Sequence, residues 1–276
     1  MSKILYQGLS HLGFRRFNPR AELIGLVDCF WAIGGIDTTP FCSTEKLYPD
    51  GGCSLTFVIE PNHTSAKFEC NRRLQVQQFS TCNLTISARF TPGSLFMLFG
   101  LSPAQLPEHG VDGTIALTGK TKLSFQRLLD RLPYLGLTSA VAEFELWLIE
   151  LSLNVAQPFR LQTALVLLGK SEQTVLSVAT TLGVSRRTLE RQMTLQTGFN
   201  PAYFQQCQRI KKARGKLCNP SLQLANIALA CGFYDQSHFN HAFRDCVNET
   251  PANYRLRKLS QIYNTDSNAA ATIFSI

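Results

Sequence analysis

Ala179-Thr180-Thr181-Leu182-Gly183-Val184-Ser185-Arg186-Arg187-Thr188-Leu189-Glu190-Arg191-Gln192-Met193 is matched further along the chain by Ala228-Leu229-Ala230-Cys231-Gly232-Phe233-Tyr234-Asp235-Gln236-Ser237-His238-Phe239-Asn240-His241-Ala242-Phe243. Each stretch sets an alanine four positions before a glycine and follows with two apolar residues four apart. These are Leu189 and Met193 in the first stretch, Phe239 and Phe243 in the second. Residues four apart share one face of a helix, and glycine is the residue that turns a chain sharply. The pattern predicts two helix-turn-helix units.

Burying the two apolar residues decides what each second helix shows to solvent. In the first unit Ser185, Arg186, Arg187, Thr188 and Arg191 remain outside; in the second, Gln236, Ser237, Asn240, His241 and Arg244. Arginine, glutamine, asparagine and serine are side chains that hydrogen-bond base edges in a major groove, so these ten are the candidate DNA-contacting residues. Between the units, Asn200-Pro201 caps a helix and Asn219-Pro220 stops it, which predicts a spacer of roughly 19 residues. At ~1.5 Å per residue it is about 28 Å long, against ~34 Å between successive major-groove faces. Lys211, Lys212 and Arg214 on this spacer are candidates for phosphate contacts.

Over about residues 160–258 the chain resembles the DNA-binding domain of AraC-type (AraC/XylS) transcriptional regulators. The resemblance is carried by Leu182-Gly183-Val184-Ser185, Arg209-Ile210-Lys211-Lys212-Ala213-Arg214, Gly232-Phe233, Ser237-His238-Phe239, Phe243-Arg244 and Thr250-Pro251-Ala252-Asn253-Tyr254-Arg255. It implies DNA contacts from Arg187 and Arg191 on the first recognition helix and from Gln236, Ser237 and His241 on the second. His241 stands where the family commonly has arginine, which implies weaker base reading there. Leu47-Tyr48-Pro49-Asp50-Gly51-Gly52-Cys53-Ser54-Leu55-Thr56-Phe57 looks like the N-terminal regulatory module of some members, as does Arg89-Phe90-Thr91-Pro92-Gly93 leading to Leu98-Phe99-Gly100-Leu101.

Charge supports the same division without reference to any family. Residues 159–259 hold 14 Lys and Arg against 5 Asp and Glu, while residues 1–158 hold 13 against 13. A basic excess confined to one half is the signature of a surface that displaces counterions from phosphates. With 45% hydrophobic residues over 276 positions, the chain has enough apolar surface for two ordinary cores, which excludes a disordered protein. No signal-like N-terminus and no apolar run near ~20 residues is visible, which predicts a cytoplasmic protein without a membrane span.

The N-terminal part reads as β-rich. Ala66-Lys67-Phe68-Glu69-Cys70 and Leu84-Thr85-Ile86-Ser87-Ala88-Arg89-Phe90 alternate with period two and are punctuated by turns at 49–52 and 91–93. Thr138-Ser139 predicts the cap of a buried helix over 140–154 joining the two parts. The expected architecture is α+β multidomain: a β-rich regulatory, sensing or dimerisation domain at 1–135, a helical bridge at 136–158, an all-α double helix-turn-helix domain at 159–259 and a tail at 260–276.

Other chemistries find little support. Gly113-Thr114-Ile115-Ala116-Leu117-Thr118-Gly119-Lys120-Thr121 imitates a phosphate-binding loop but has one residue too many between its glycines. Nine cysteines include no pair of zinc-ligand spacing, and most read as small, unpaired buried residues in a reducing compartment. The sharpest metal candidate, Cys231, His238, His241 and Cys246, fits no common zinc module. An alternative function, a DNA alkyl-repair or redox-sensing regulator using an N-terminal cysteine, lacks the Pro-Cys-His-Arg mark of an alkyl acceptor and any histidine adjacent to Cys29, Cys42, Cys53, Cys70 or Cys82. No catalytic residue, metal or cofactor is expected. The expected partner is double-stranded DNA, and the resemblance adds RNA polymerase, a small-molecule effector and a second copy of the chain.

Overall fold

The computed structural model describes residues 12–34, 41–153, 159–170 and 173–259. The N-terminal half is built on eight strands: β1 (Arg15–Phe17), β2 (Val27–Ile33), β3 (Cys42–Leu47), β4 (Cys53–Glu60), β5 (His63–Cys70), β6 (Gln75–Ser80), β7 (Leu84–Phe90) and β8 (Val111–Asp112). Six form an antiparallel sheet in the order β1-β2-β7-β4-β5-β8, and β3 pairs with β6 in a second, two-stranded sheet.

Alternation along the strands gives the large sheet two different faces. Leu55, Phe57 and Ile59 of β4, Ala66 and Phe68 of β5, and Ile86, Ala88 and Phe90 of β7 enter a core. Ser54 and Thr56, Glu69, and Arg89 from the same strands look instead toward the small sheet and line a cavity between the two.

Helices close the core face. These are α1 (Ser94–Phe99), α2 (Gly113–Ala116), α3 (Gly119–Arg131) and α4 (Leu137–Ser152). Helix α4 sets Phe144 edge-on to Phe57 at 4.8 Å and to Phe30 at 5.4 Å, while Trp147 stacks on Phe99 and donates its Nε1–H to Ser124. Each such buried aromatic is worth about 1.5–3 kcal/mol. The bridge helix is therefore part of the N-terminal core. Its start differs from the expected cap: Thr138 and Ser139 lie inside the first turn, and Gly136 caps without a side chain. Leu137 and Ala140 pack on that core, and their burial extends the helix past the polar pair.

The cysteines depart from the expectation of unpaired residues. Cys53 and Cys70 sit opposite each other in the β4–β5 register, with Cα atoms 4.3 Å apart, and form a disulfide. The hairpin at residues 61–62 folds distant positions into register, which linear spacing does not reveal.

The C-terminal half is helical: α5 (Phe159–Leu168), α6 (Val175–Thr181), α7 (Arg186–Thr197), α8 (Pro201–Leu217), α9 (Leu224–Ala230), α10 (Gln236–Val247) and α11 over 251–259. They share a second core, with Leu189, Met193, Phe239 and Phe243 at its centre. The spacer α8 begins at the expected Asn200 cap but spans 17 residues, two fewer than expected, because the chain leaves the helix at Cys218 before reaching Pro220.

The two halves are docked. Tyr48 lies against the Arg214 guanidinium 3.6 Å from its ring centroid, Lys46 pairs with Glu249 at 3.4 Å, and Gln208 donates to the Asp50 carbonyl at 3.4 Å. Farther along, the Tyr203 hydroxyl donates to the Arg72 carbonyl at 3.2 Å and Ser102 to the Leu195 carbonyl at 2.7 Å.

Candidate nucleic-acid interface

The repeated sequence becomes repeated geometry. In the first unit Gly183 has φ +65° and the Val184 N–H donates to the Ala179 carbonyl at 3.0 Å; in the second Gly232 has φ +80° and the Phe233 N–H donates to the Ala228 carbonyl at 3.0 Å. Positive φ disfavours any side chain, so glycine is required at both turns. Both alanines are buried, at 1% and 0% exposed. Each second helix then starts on a side-chain cap: Ser185 accepts from the Thr188 N–H and Asp235 from the His238 N–H.

The buried and exposed faces fall as the apolar spacing requires. Leu189, Met193, Phe239 and Phe243 are at most 5% exposed. Ser185, Arg186, Arg187 and Arg191 on the first unit are exposed, as are Gln236, Ser237, His241 and Arg244 on the second. They are not equally available. Arg186 pairs with Glu190 at 2.8 Å, and the hydroxyls of Ser185 and the half-buried Thr188 bond to each other at 2.9 Å. Asn240 is half-buried, with its Oδ1 enclosed and without a hydrogen-bond partner among the described residues.

On the spacer, Lys211 and Lys212 are exposed. Arg214 corrects the sequence reading: it is 8% exposed, donates through Nε to the Tyr254 hydroxyl at 3.2 Å and is covered by Tyr48. It shares with Lys211, three residues earlier, the face of α8 that lines a cavity against the N-terminal domain.

Other roles were missing from the sequence reading. Arg209 donates to the Gly232 carbonyl at 3.2 Å and lies over Phe233, tying the second turn to the spacer. Arg255 donates to the carbonyls of Leu217 and Leu222, fastening α11 beneath the α8–α9 loop. Cys231, His238, His241 and Cys246 do not converge: the cysteines are buried, while the histidines are exposed. Cys246 lies instead beside Cys207, whose thiol is pushed up by this hydrogen bond and by burial. Among the described residues no group of three or more candidate ligands is placed to hold a metal, and no helix is long and apolar enough to cross a membrane.

Two helix-turn-helix units on one spacer, each presenting an exposed polar helix face, define a double helix-turn-helix protein. Residues 178–257 match the family model described as a helix-turn-helix domain. The chain is 38% identical over 79 residues to the HTH-type transcriptional activator RhaS of Escherichia coli O9:H4 (strain HS), a match covering 29% of this chain and 28% of that protein. Among solved structures, a transcriptional regulator with an AraC-type DNA-binding domain from Chromobacterium violaceum is 32% identical, with a TM-score of 0.34, over 36% of this chain and 91% of that one. The DNA-binding domain of AdpA, solved in complex with a target DNA, is 26% identical with a TM-score of 0.34, over 37% of this chain and 92% of that one. Over residues 178–257 the chain is thus similar to the helix-turn-helix domain of transcriptional regulators such as RhaS. The match spans under a third of the length of RhaS.

Proposed function

We propose that the chain is a sequence-specific transcriptional regulator that lays α7 and α10 into successive major grooves of double-stranded DNA, under the control of its N-terminal domain. The observation that carries this reading is the duplication itself: two turns with the same hydrogen bond and a glycine at positive φ each lead into a helix with an exposed polar face, while the apolar anchors are buried. Arg187 and Arg191 read bases on the first helix, and Gln236, Ser237, His241 and Arg244 on the second. Lys212 holds phosphate in register, whereas Lys211 faces the cavity beside Asp50. Its action is positioning rather than bond chemistry, exercised in the cytoplasm, with RNA polymerase as the downstream partner of the bound complex.

The cavity between the two sheets is the seat of a small-molecule effector. At about 440 Å³ it falls in the range of ordinary ligand sites. Its lining includes strands of both N-terminal sheets and residues of the C-terminal half, so an occupant meets both halves.

Sequencing genomic DNA captured by the full chain tests the main reading. The expected outcome is a bipartite site whose two elements lie about one helical turn, ~10 base pairs, apart. Binding that is equally strong on every sequence and merely falls with salt refutes it.

A further inference from the structure

The two turns differ by one residue. In the first unit Val184, whose N–H donates to the Ala179 carbonyl, is followed directly by the Ser185 cap; in the second Phe233, whose N–H donates to the Ala228 carbonyl, is followed by Tyr234 and only then by the Asp235 cap. Tyr234 therefore has no counterpart in the first unit. The two adjacent aromatics are placed very differently. Phe233 is 4% exposed, packed on the Phe239 ring at 5.2 Å and covered by the Arg209 guanidinium at 5.6 Å, whereas Tyr234 is 87% exposed. With that much of its surface in solvent the Tyr234 ring adds little to the core, so packing does not account for an inserted aromatic here. Cations of the spacer flank the same turn: Arg209 donates to the Gly232 carbonyl, and the charges of Lys212 and Lys216 act on the neighbouring Cys231. A polyanion drawn to those cations is brought up against Tyr234.

Its position along the chain sets what it meets there. Tyr234 lies two residues before Gln236, the first residue of α10, and recognition helices contact base edges through their N-terminal residues. In the major groove glutamine pairs with adenine, and the apolar group presented there is the C5 methyl of thymine. Arginine, the residue at 187 and 191 on the first helix, pairs instead with guanine. Tyrosine joins a large apolar ring to a polar tip, which suits a group that is wet when free and covered when bound. We infer that Tyr234 is a specificity-determining residue of the second reading head: its ring closes over a thymine methyl in the element read by α10. The two elements of the DNA site then differ in composition, with guanine under α7 and adenine and thymine under α10. This deepens, and rests on, the reading of α7 and α10 as the helices that enter the grooves.

The test removes a single methyl group. The site is first recovered by sequencing genomic DNA captured by the full chain, and each thymine of the element under α10 is then replaced by deoxyuridine, which keeps the pairing and lacks only the methyl. At one or two of these positions the replacement is expected to weaken binding by the wild type about fourfold, the worth of one buried methyl. It is expected to leave binding by Tyr234→Ala unchanged, while Tyr234→Phe, which keeps the ring, retains the sensitivity. Tyr234→Ala should melt with the wild type because the ring lies outside the core; a fall of several degrees would mean that the ring serves the fold and would count against the inference. Indifference of the wild type to every deoxyuridine, or an equal loss in wild type and Tyr234→Ala, overturns it. So does a Tyr234→Ala defect confined to transcription with methyl sensitivity intact, which would assign the residue to a protein partner. Failure to recover any preferred site sinks the proposed function and this inference with it, whereas a recovered site without a methyl effect sinks the inference alone.

Discussion

Replacing Phe239 with alanine removes the residue on which the second reading head is folded. Phe239 is 0% exposed and lies 5.2 Å from the Phe233 ring and 5.5 Å from the Phe243 ring. Truncating a buried phenylalanine costs about 3–5 kcal/mol, through lost transfer energy and the cavity left behind, and the two ring contacts place this site at the upper end. At roughly 4–8 °C per kcal/mol for a domain of about 100 residues, a loss of about 4–5 kcal/mol lowers the melting temperature by on the order of 16–40 °C. The assay is thermal unfolding of the full chain followed by circular dichroism, with Arg191→Ala as the internal contrast. Arg191 is exposed and makes no contact that the core needs, so its change stays within about 0.5 kcal/mol. If Phe239→Ala melts like the wild type, or Arg191→Ala falls as far, the buried and reading faces have been exchanged and the docking scheme fails with them.

Arg191→Ala is expected to weaken specific DNA binding by roughly 1–3 kcal/mol and to relax one base position in a binding selection, whereas unchanged preference removes it from the reading face. Gly232→Val, at φ +80°, costs about 1–2 kcal/mol in thermal unfolding through backbone strain alone. Glu249 is pushed up by burial, but the hydrogen bond and charge of Arg257, then Lys46, hold it below its ordinary 4.5. Since the folded value is the depressed one, its contribution to docking is complete above pH 4.5 and lost as pH falls through the folded value; Glu249→Gln should flatten that acid limb of the melting profile. Cys70→Ser opens a disulfide that closes a loop of 17 residues and should cost about 3 kcal/mol, with one more thiol, that of Cys53, open to alkylation after unfolding.

The C-terminal half was legible because its rules are local. The alanine-glycine interval, the caps at Ser185, Asn200 and Asp235, and the four-residue apolar steps each constrain a few neighbouring residues, and the sequence carries all of them in plain order. Strand β7 was legible for a similar reason, since period-two alternation marks Leu84 to Phe90. What escaped depends on contacts between distant segments. Arg214 reads as one more cation in a basic run, and only the approach of Tyr48, far earlier in the chain, turns it inward. The same holds for Arg255 and Arg257, which add to the basic count yet are spent on carbonyls and on Glu249. Net charge thus counts cations of the C-terminal half that are engaged within the fold. The Cys53–Cys70 bridge and the cavity are likewise products of register and layering, invisible to spacing along the chain.

The N-terminal domain grips the helical half at two separated places. Arg72 and Ser102 hold the end of the first recognition helix and the start of the spacer, and Lys46 and Tyr48 hold the far side beside Glu249 and Tyr254. It works on the double head as a caliper does, its jaws joined through a sheet rather than a screw. The helical half is thus held at both places by the same domain, and it cannot shift against that domain without breaking bonds at one of them.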